Sequence, residues 1–380
     1  MRASASLFAA LLCGPASLAA EPADLKPALD AINAVGKEGL GNAEAAKAWA
    51  TVVKAGPEAL VPILQAMRDD QPTGANWLRT AVDTIAEGET KAGRKLDTAP
   101  FGKYLAGSAG SAASRTAAFE LIRQADQAAA QAMLPKFLND PSLELRRAAI
   151  EDALKRVRGQ TKPATAEEVS ALFAAARDKD QVEAIAKELE KLKMPADITK
   201  HFGYITRWSL SETFDNTDGV GHAKAYAPET SAERKGWKPT QGSAAYGFID
   251  LNAAVGKKMN AVVYVAADLV AEAETPAEIR VASQNAIKVF LNGKEVFARE
   301  EYHHGTRMDQ HVAKVTLAKG ANTVMLKVAQ NDMPYEWAQV WGFAARICDG
   351  TGGPLKLQQL VDGKMAPLGE LAPAPPKENK

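Results

Sequence analysis

The first half of the chain places apolar residues at helical spacing. In RRAAIEDALKRV, the residues Ile150, Ala153, Leu154 and Val157 recur at i, i+3, i+4 and i+7, which puts them on one stripe of a helix. The segment DQVEAIAKELEKLKMP repeats this spacing. A helix with one apolar stripe is stable only when that stripe is buried against a partner. The pattern therefore predicts packed amphipathic helices over residues 21–198.

After about residue 199 the hydrophobic period changes from 3.6 to 2. Short runs rich in β-branched and aromatic residues are separated by turn formers: AVVYVAADLV, AEIRVAS, AIKVFL, KEVFAR, AKVTL, TVMLKVA and WGFAARI. Many short strands at such regular spacing are typical of a sandwich or barrel. The fold class expected is therefore a multidomain α and β protein, in which helices precede an antiparallel β-sandwich over residues 199–350.

The dipeptide Asn292-Gly293 predicts a two-residue type I′ hairpin. Such a turn fixes the register of the flanking strands. The pairs expected are Leu291 with Lys294, Val289 with Val296, and Ile287 with Ala298. This register gives the hairpin one apolar face toward the core. Phe290 falls on the other face, where we expect it to pack beneath a loop rather than to form a binding surface.

The segment LPKFLNDPSLELRRAAIEDAL, beginning at Leu134, resembles a HEAT repeat. It has an apolar helix end, the Asp140-Pro141 turn, and a second helix opened by Leu145-Arg146. Proline is compatible with a first helical turn, so the segment is suited to join two antiparallel helices. The resemblance implies a short, irregular HEAT-like array over residues 21–198. Such an array is either a spacer or a surface on which a protein partner docks.

The second half also carries a resemblance. The order LNGKEVF, a charged loop ending in Asp309, then VTLAKGANTVMLKV is similar to the jelly-roll sandwich of the galactose-binding-like superfamily. That superfamily includes carbohydrate-binding modules and the sugar-binding domain of family 2 glycoside hydrolases. The complete order of leader, HEAT-like helices and sandwich resembles an uncharacterised family of exported bacterial proteins. These resemblances imply that the sandwich binds carbohydrate or another component of the cell envelope.

The two ends of the chain have their own composition. Residues 1–20 combine one arginine, the apolar run LFAALLCG and small residues before the predicted cut, which is typical of a signal peptide. We therefore expect export to the periplasm or the extracellular space, with no transmembrane segment. Residues 351–380 are predicted to form a flexible, proline-rich tail.

The charge balance argues against nucleic acid as a partner. Lys plus Arg and Asp plus Glu each total 46 residues, so the formal net charge is zero. Binding to a polyanion generally needs a net positive field or a basic stripe, and the sequence shows neither.

The candidate ligand-binding residues all lie in the second half. Trp337 and Trp237 offer flat apolar rings on which sugar rings stack, and nearby polar side chains offer hydrogen bonds to hydroxyl groups. Trp341 is expected in the core, on the same side of a strand as Trp337. The complete predicted set is Trp237, Tyr302, His303, His304, Asp309, Gln330, Asn331 and Trp337.

The sequence contains two clusters of candidate metal ligands, and each also has an explanation that needs no metal. Tyr302, His303, His304, Asp309 and His311 include ligands that transition metals prefer, but adjacent histidines in an extended strand point to opposite faces. A hydrogen-bonded loop is the alternative. In FDNTDG, the oxygens of Asp215, Asn216 and Asp218 suit structural calcium, while the same residues also make turns without metal.

The function expected is therefore that of a non-enzymatic exported binding protein. The first alternative is a protein–protein interaction scaffold that uses the HEAT-like face, with a purely structural sandwich. The second is a glycoside-acting hydrolase, for which Glu300, Glu301 and Asp309 could supply the paired carboxylates. No nucleophile elbow, phosphate loop or Cys-His set is present in the sequence.

Overall fold

The structure is a computed structural model of the chain that describes residues 24–159, 164–243 and 246–371. The predicted signal peptide over residues 1–20 lies outside the described residues, as does the end of the predicted tail, residues 372–380. Helices come first and antiparallel strands follow, which confirms the predicted multidomain α and β fold class.

The chain forms two compact units. The first runs to Leu134 and includes Asp140–Leu145; the second comprises Pro135–Asn139 and the chain from Arg146 onward. The change from helix to strand near residue 199 therefore lies inside the second unit. The last helices before the strands belong to the same compact unit as the sandwich.

Eleven α-helices precede the first strand within the described residues, and most are amphipathic. They are α1 Lys26–Asn33, α2 Asn42–Lys54, α3 Leu60–Ala66, α4 Pro72–Lys91, α5 Ala99–Leu105, α6 Ala112–Ala125, α7 Gln127–Met133, α8 Leu143–Gly159, α9 Ala166–Ala175, α10 Lys179–Lys191 and α11 Ile198–Phe202. Local sequence sets their starts: Thr165 and Glu168 form a capping box on α9, and Asp126 caps α7. The predicted stripe of α10 is buried at Val182, Ile185 and Leu189.

The Asp140-Pro141 turn has a role beyond joining helices. Asp140 is buried, and its carboxylate accepts from Nε of Arg115 at 2.9 Å, while Arg115 also donates to the carbonyl of Gly107 at 2.7 Å. The start of α8 is capped instead by Ser142, whose Oγ accepts from the backbone N–H of Leu145 at 3.2 Å. The HEAT-like identity of these helices remains a prediction.

Twelve strands and three short helices follow within the described residues. The strands are β1 Arg207–Asp215, β2 Lys238–Gln241, β3 Ile249–Asp250, β4 Ala261–Ala271, β5 Thr275–Ser283, β6 Ala286–Leu291, β7 Lys294–Arg299, β8 His311–Leu317, β9 Gly320–Gln330, β10 Gly342–Cys348, β11 Leu357–Val361 and β12 Lys364–Pro367. The short helices are α12 Val220–Ala223, α13 Ala227–Thr230 and α14 Leu251–Val255. Strands β4 to β10 match the seven runs predicted from alternation.

The strands form two antiparallel sheets that face one another across a common apolar core. The large sheet has the order β12-β11-β4-β9-β6-β7, with β1 also paired to β4 and β2 paired to β1; the small sheet has the order β3-β10-β5-β8. Alternate residues of both sheets enter the core, for example Val265 and Leu326 from the large sheet and Phe343 from the small one. Trp341 is fully buried in this core, as predicted.

The outer face of each sheet is also covered. Helices α8 to α11 pack on the small sheet through a cluster that includes Phe202 and Ala344. A segment over residues 216–237, containing α12 and α13, contributes to a second cluster on the large sheet together with Phe290. Phe290 is therefore buried on the outer face rather than exposed as part of a binding surface, as predicted.

The β6–β7 hairpin has the predicted turn but only part of the predicted register. Asn292 and Gly293 both have positive φ, 52° and 80°, as a type I′ turn requires. The observed pairs are Leu291–Lys294, Phe290–Glu295, Val289–Phe297, Lys288–Ala298 and Ile287–Arg299. A β-bulge at Val296 shifts the register by one residue, so the predicted pairing of Val289 and Ile287 is wrong. The bulge lets both Val296 and Phe297 reach the core.

The prediction of a flexible tail is wrong for most of residues 351–371, the part of the tail that the structure describes. Strand β11 pairs with β4, and β12 pairs with β11, which extends the large sheet. Leu357 and Leu368 are buried in the sandwich core. Two leucines eleven residues apart are a weak signal in sequence, but the open edge of β4 supplies the backbone hydrogen bonds that order the segment. No helix within the described residues is long and apolar enough to cross a membrane.

Candidate functional site

An exposed aromatic pair lies on the loop between β9 and β10. Tyr335 and Trp337 are each 60% exposed, and their rings are parallel within 7° at a centroid distance of 6.0 Å. The ring of His303 meets Trp337 edge to face at 5.4 Å. We call these three residues the aromatic platform. Residues 336–339 form a 3₁₀ turn, so the expectation that Trp337 and Trp341 share one side of a strand is wrong.

His303 is held in place from both its backbone and its ring. Its φ is +66°, in the left-handed region that is uncommon for residues other than glycine. Its backbone N–H donates to the carbonyl of Gln284 at 2.6 Å. Its Nε2 lies 2.9 Å from Oδ1 of Asn331, within hydrogen-bond distance. The predicted residues His303, Asn331 and Trp337 are therefore brought together.

Two buried amides anchor the loop that carries the platform. Gln330 is 2% exposed, and its Nε2 donates to the carbonyl of Ala338 at 3.0 Å. Its Oε1 accepts from Nδ2 of Asn285 at 2.9 Å. Asn285 also donates to the carbonyl of Val340 at 3.1 Å and accepts from the N–H of Gly342 at 3.2 Å. Because buried amides must be paired, this network fixes the loop in one conformation.

Replacing Gln330 with leucine is expected to loosen this loop. The change removes the donor to the Ala338 carbonyl and one of the two acceptors of Asn285 Nδ2, at a cost of about 1–3 kcal/mol. We expect faster amide hydrogen exchange over residues 336–340 and a lower free energy of unfolding. Leucine at the exposed Gln358 of β11 is the control and should change neither. Unchanged exchange in the Gln330 variant would show that the loop is held by other contacts.

Some predicted ligand contacts lie inside the protein instead. The buried Gln330 is an anchor rather than a surface contact. Tyr302 is half-buried: it packs against the outer cluster of the large sheet, and its hydroxyl accepts from Nδ2 of Asn216 at 3.2 Å. Burial raises the pKa of the Tyr302 hydroxyl. Tyr302 thus ties its loop to the start of the 216–237 segment.

Trp237 lies at the other end of the large sheet. It lines a cavity of about 400 Å³ together with Thr323 and the Asn292-Gly293 turn. Thr323 and Asn331 are eight residues apart along β9 and its exit, which corresponds to about 26 Å of extended strand. One small ligand cannot contact Trp237 and the platform together.

Asp309 belongs to a charged network rather than to an exposed site. Its carboxylate accepts from Nε and Nη2 of Arg346, each at 2.6 Å, and from Nη1 of Arg280 at 2.8 Å. Arg346, 2% exposed, also donates to the carbonyls of Phe202 and Gly352. Burial alone would raise the pKa of Asp309, but its bonds to the two guanidinium groups outweigh this and lower the pKa. Asp309 thus stabilises the fold.

The residues proposed for calcium have different environments. Asp215 is exposed, and its Oδ1 accepts from the N–H and the hydroxyl of Thr217. Asp218 is exposed with φ +57°, whereas Asn216 is fully buried and donates to the carbonyl of Gln330 at 3.0 Å. Among the described residues no group of three or more His, Cys, Asp or Glu is placed to hold a metal. Calcium remains a prediction, and these positions give it no added support.

A buried lysine lies beneath the 216–237 segment. Lys327 on β9 is 0% exposed, and its Nζ donates to Glu229 Oε1 at 2.8 Å and to the carbonyl of Lys224 at 2.6 Å. The hydroxyl of Tyr264 donates to the same Glu229 oxygen. Burial lowers the pKa of Lys327. Since the ammonium group is enclosed and already paired, we assign it to the fold and not to catalysis.

Sequence reasoning missed Tyr335 and Asn285. Tyr335 stands two residues before Trp337 in PYEWAQ, and Pro334 before it is a turn former, so the exposed pair had a local signal. Asn285 lies in the short connection between β5 and β6 and gave no signal. Its role depends on residues 45 and 55 positions away along the chain.

Comparison with known proteins yields only weak similarity. No protein-family model matches the chain, and no curated protein matches it. Among solved structures, a β-glucosidase from Kluyveromyces marxianus in complex with glucose is 13% identical with a TM-score of 0.25, covering 38% of this chain and 16% of that one. The PA14 domain of the MpAFP antifreeze protein is 10% identical with a TM-score of 0.18, covering 28% and 48%.

A third structure gives a similar result. The GH31 α-xylosidase from Xanthomonas citri is 12% identical with a TM-score of 0.19, covering 37% of this chain and 16% of that one. This chain thus spans less than half of each of the three proteins. Such scores carry no argument about function, which has to come from the site.

Proposed function

We propose that the protein binds carbohydrate through the aromatic platform. The observation that carries this proposal is the parallel pair of Tyr335 and Trp337, both largely exposed. Flat aromatic faces pack against the apolar C–H faces of sugar rings, while the polar ring edges remain free to meet hydroxyl groups. Large aromatic side chains that stay in water on an otherwise anchored loop are typical of such a surface.

The loop also presents polar groups around the rings. Asp332 and Glu336 are exposed on either side of Tyr335, and Asn331 is half-buried beside His303. Their oxygens can accept hydrogen bonds from sugar hydroxyls. Because Gln330 and Asn285 already fix the loop, little conformational entropy has to be lost on binding.

The proposed role is binding without catalysis. In this proposal the chain is exported, because residues 1–20 have the composition of a leader, and the ligand is a polysaccharide or another carbohydrate-bearing component of the envelope. Asp309, one of the three carboxylates named for hydrolysis, is engaged by two arginines, which leaves it unsuited to act as an acid or a nucleophile.

The test is a glycan array with the full chain, followed by calorimetry on the best ligand. Trp337→Ala and Tyr335→Ala should each weaken binding by roughly tenfold or more, since loss of about 1.4 kcal/mol of stacking and burial is a factor of ten. Trp237→Ala is the matched control, because it removes a half-buried tryptophan at the other end of the large sheet. That variant should retain the wild-type affinity.

Two results would contradict the proposal. Binding that Trp337→Ala leaves intact would place the site elsewhere on the chain. Failure of the wild type to retain any glycan would favour the protein–protein scaffold instead. Thermal unfolding of each variant shows whether a loss of binding reflects a loss of fold, and Trp337→Phe, which keeps a flat ring, should restore part of the affinity.

A further inference from the structure

A separate cleft is lined in part by the loop that carries His303. It has a volume of about 610 Å³ and is bordered by the end of β7, residues 304–307 and the start of β8. Its basic lining residues are Arg299, His304, Arg307 and His311. His304 was predicted from the sequence both as a ligand contact and as a metal ligand, and His311 as a metal ligand. Neither arginine belongs to the proposed carbohydrate platform.

The charges in this cleft are incompletely neutralised. Arg299 donates to Glu301, the one carboxylate among the lining residues. Arg307 is exposed and makes no salt bridge to any carboxylate in the part of the chain that the structure describes. The ring of His311 packs on Phe297 at a centroid distance of 5.1 Å. Two guanidinium groups against one carboxylate therefore leave the cleft with a net positive charge.

The state of His311 reflects this environment. Burial is the main cause that lowers the pKa of His311, and repulsion from Arg299 and Arg307 lowers this pKa further. The other titratable groups that line the cleft with His311 are Arg299, Arg307, Glu301 and His304. An anion placed among these residues would offset the repulsion, so His311 can report on occupancy of the cleft.

The cleft and the aromatic platform share one loop. His303 contributes to the platform and the next residue, His304, lines the cleft. Adjacent Cα atoms are about 3.8 Å apart, so the two surfaces begin at neighbouring positions of the backbone. The left-handed conformations of His303 and Gly305, with φ of +66° and +73°, turn the chain at this point.

We infer that the cleft binds an anionic substituent, a carboxylate or a phosphate, of an acidic glycan that also contacts the aromatic platform. The ligand class rests on the carbohydrate binding proposed above, whereas the binding of an anion rests on Arg299, Arg307 and the two histidines alone. Guanidinium groups suit both kinds of anion, because they present paired N–H donors to paired oxygens.

The first experiment compares an acidic oligosaccharide with its uncharged ester and adds one phosphorylated sugar. Calorimetry at low salt would use trigalacturonate, its methyl ester and mannose 6-phosphate with the full chain. We expect the free acid to bind roughly tenfold more tightly than the ester, and Arg307→Gln to remove that difference without weakening the ester. Lys319→Gln, which removes an exposed charge on the β8–β9 turn, is the control and should keep the preference.

The second experiment tests the anion without the sugar. Inorganic phosphate titrated into the protein should raise the pKa of His311, followed through its ring C–H signals by NMR, and the increase should disappear in Arg307→Gln. An unchanged His311 pKa would overturn the cleft as an anion site even if glycans bind. If phosphate raises the pKa of His311 but the protein binds neither trigalacturonate more tightly than its ester nor mannose 6-phosphate, the cleft binds anions and the proposed ligand class is wrong. If Trp337→Ala binds no glycan but phosphate still raises the pKa of His311, the cleft binds its anion independently of the aromatic platform.

Discussion

Replacing Asp309 with alanine is expected to lower the free energy of unfolding of the second unit by about 3–5 kcal/mol. The change leaves Arg346 without its carboxylate partner while it is 2% exposed, and it takes one of the two carboxylates away from Arg280. An enclosed cation without a counter-ion is far less favourable than the complete network. Urea unfolding followed by tryptophan fluorescence reports on this unit, which holds four of the six tryptophans.

Asp218 provides a matched control for this variant. Asp218 and Asp309 both have φ of +57°, so alanine meets the same backbone cost at either position. Asp218 is exposed and has no ion pair among the described residues. Asp218→Ala should therefore lower the free energy of unfolding by only about 1 kcal/mol, which is the cost of the left-handed conformation for alanine. Equal losses in the two variants would show that the charged network contributes little.

The Asp309 network also predicts a dependence of stability on pH. The pKa of Asp309 is lower in the folded protein than in the unfolded chain, so the unfolded state binds the proton more readily. The stabilisation is complete above the unfolded pKa, near 3.9, and is lost as pH falls through the folded value. As pH falls through the acid range, the free energy of unfolding should decrease less steeply in Asp309→Ala than in the wild type.

Replacing Glu229 with alanine is expected to be about as destabilising, by about 3–5 kcal/mol. Lys327 would keep its charge in a fully enclosed position, with only the carbonyl of Lys224 and the neighbouring aromatic rings beside it. The hydroxyl of Tyr264 would also lose its acceptor. The same unfolding measurement applies, because all three residues lie in the second unit.

A double variant distinguishes the contribution of the ion pair from that of the packing around it. Lys327→Met combined with Glu229→Leu should recover most of the lost stability, since apolar residues of similar volume replace a buried pair at little cost. The partly exposed Lys288–Glu295 pair is the control, and Glu295→Ala should lose no more than about 1 kcal/mol. If the double variant is as unstable as Glu229→Ala, the loss comes from packing rather than charge.

The sandwich therefore uses charged residues in two ways. Asp309 and Glu229 each neutralise an enclosed cation and hold elements of the fold together. Arg307, by contrast, is exposed beside a second arginine and two histidines, where a ligand can supply the missing negative charge. The aromatic platform and the basic cleft are thus open surfaces on a sandwich in which the enclosed Arg346 and Lys327 are each paired with a carboxylate.

Local pattern predicted most of the sandwich strands. The seven alternating runs became β4 to β10, because alternation of apolar residues depends on the period of the strand itself. The hairpin turn was predicted by Asn292-Gly293, whose backbone preferences are intrinsic. Strand β1, which has nine residues, was missed, although Trp208 and Leu210 alternate in it. The shorter strands β2, β3, β11 and β12 were also missed, since each is ordered by pairing with a neighbour and has little pattern of its own.

The candidate site was only partly predictable. Trp337, His303 and Asn331 were named from the sequence and do lie together. Gln330 and Asp309 were named as contacts, but folding places them in an anchor and an ion network, because their partners come from distant parts of the chain. Residue type indicates what a side chain can bond, whereas its neighbours decide whether those bonds are already made.

The sequence by itself determined the order of helices and strands, the core position of Trp341 and the main hairpin, since these depend on local periodicity and backbone preference. Only the tertiary structure decided the bulge at Val296, the pairing of the last strands, and which polar residues are buried. It also decided that Tyr335 joins Trp337 and that four basic residues share one cleft. The physical reason is that burial, register and electrostatic environment are set by contacts between residues far apart in the chain.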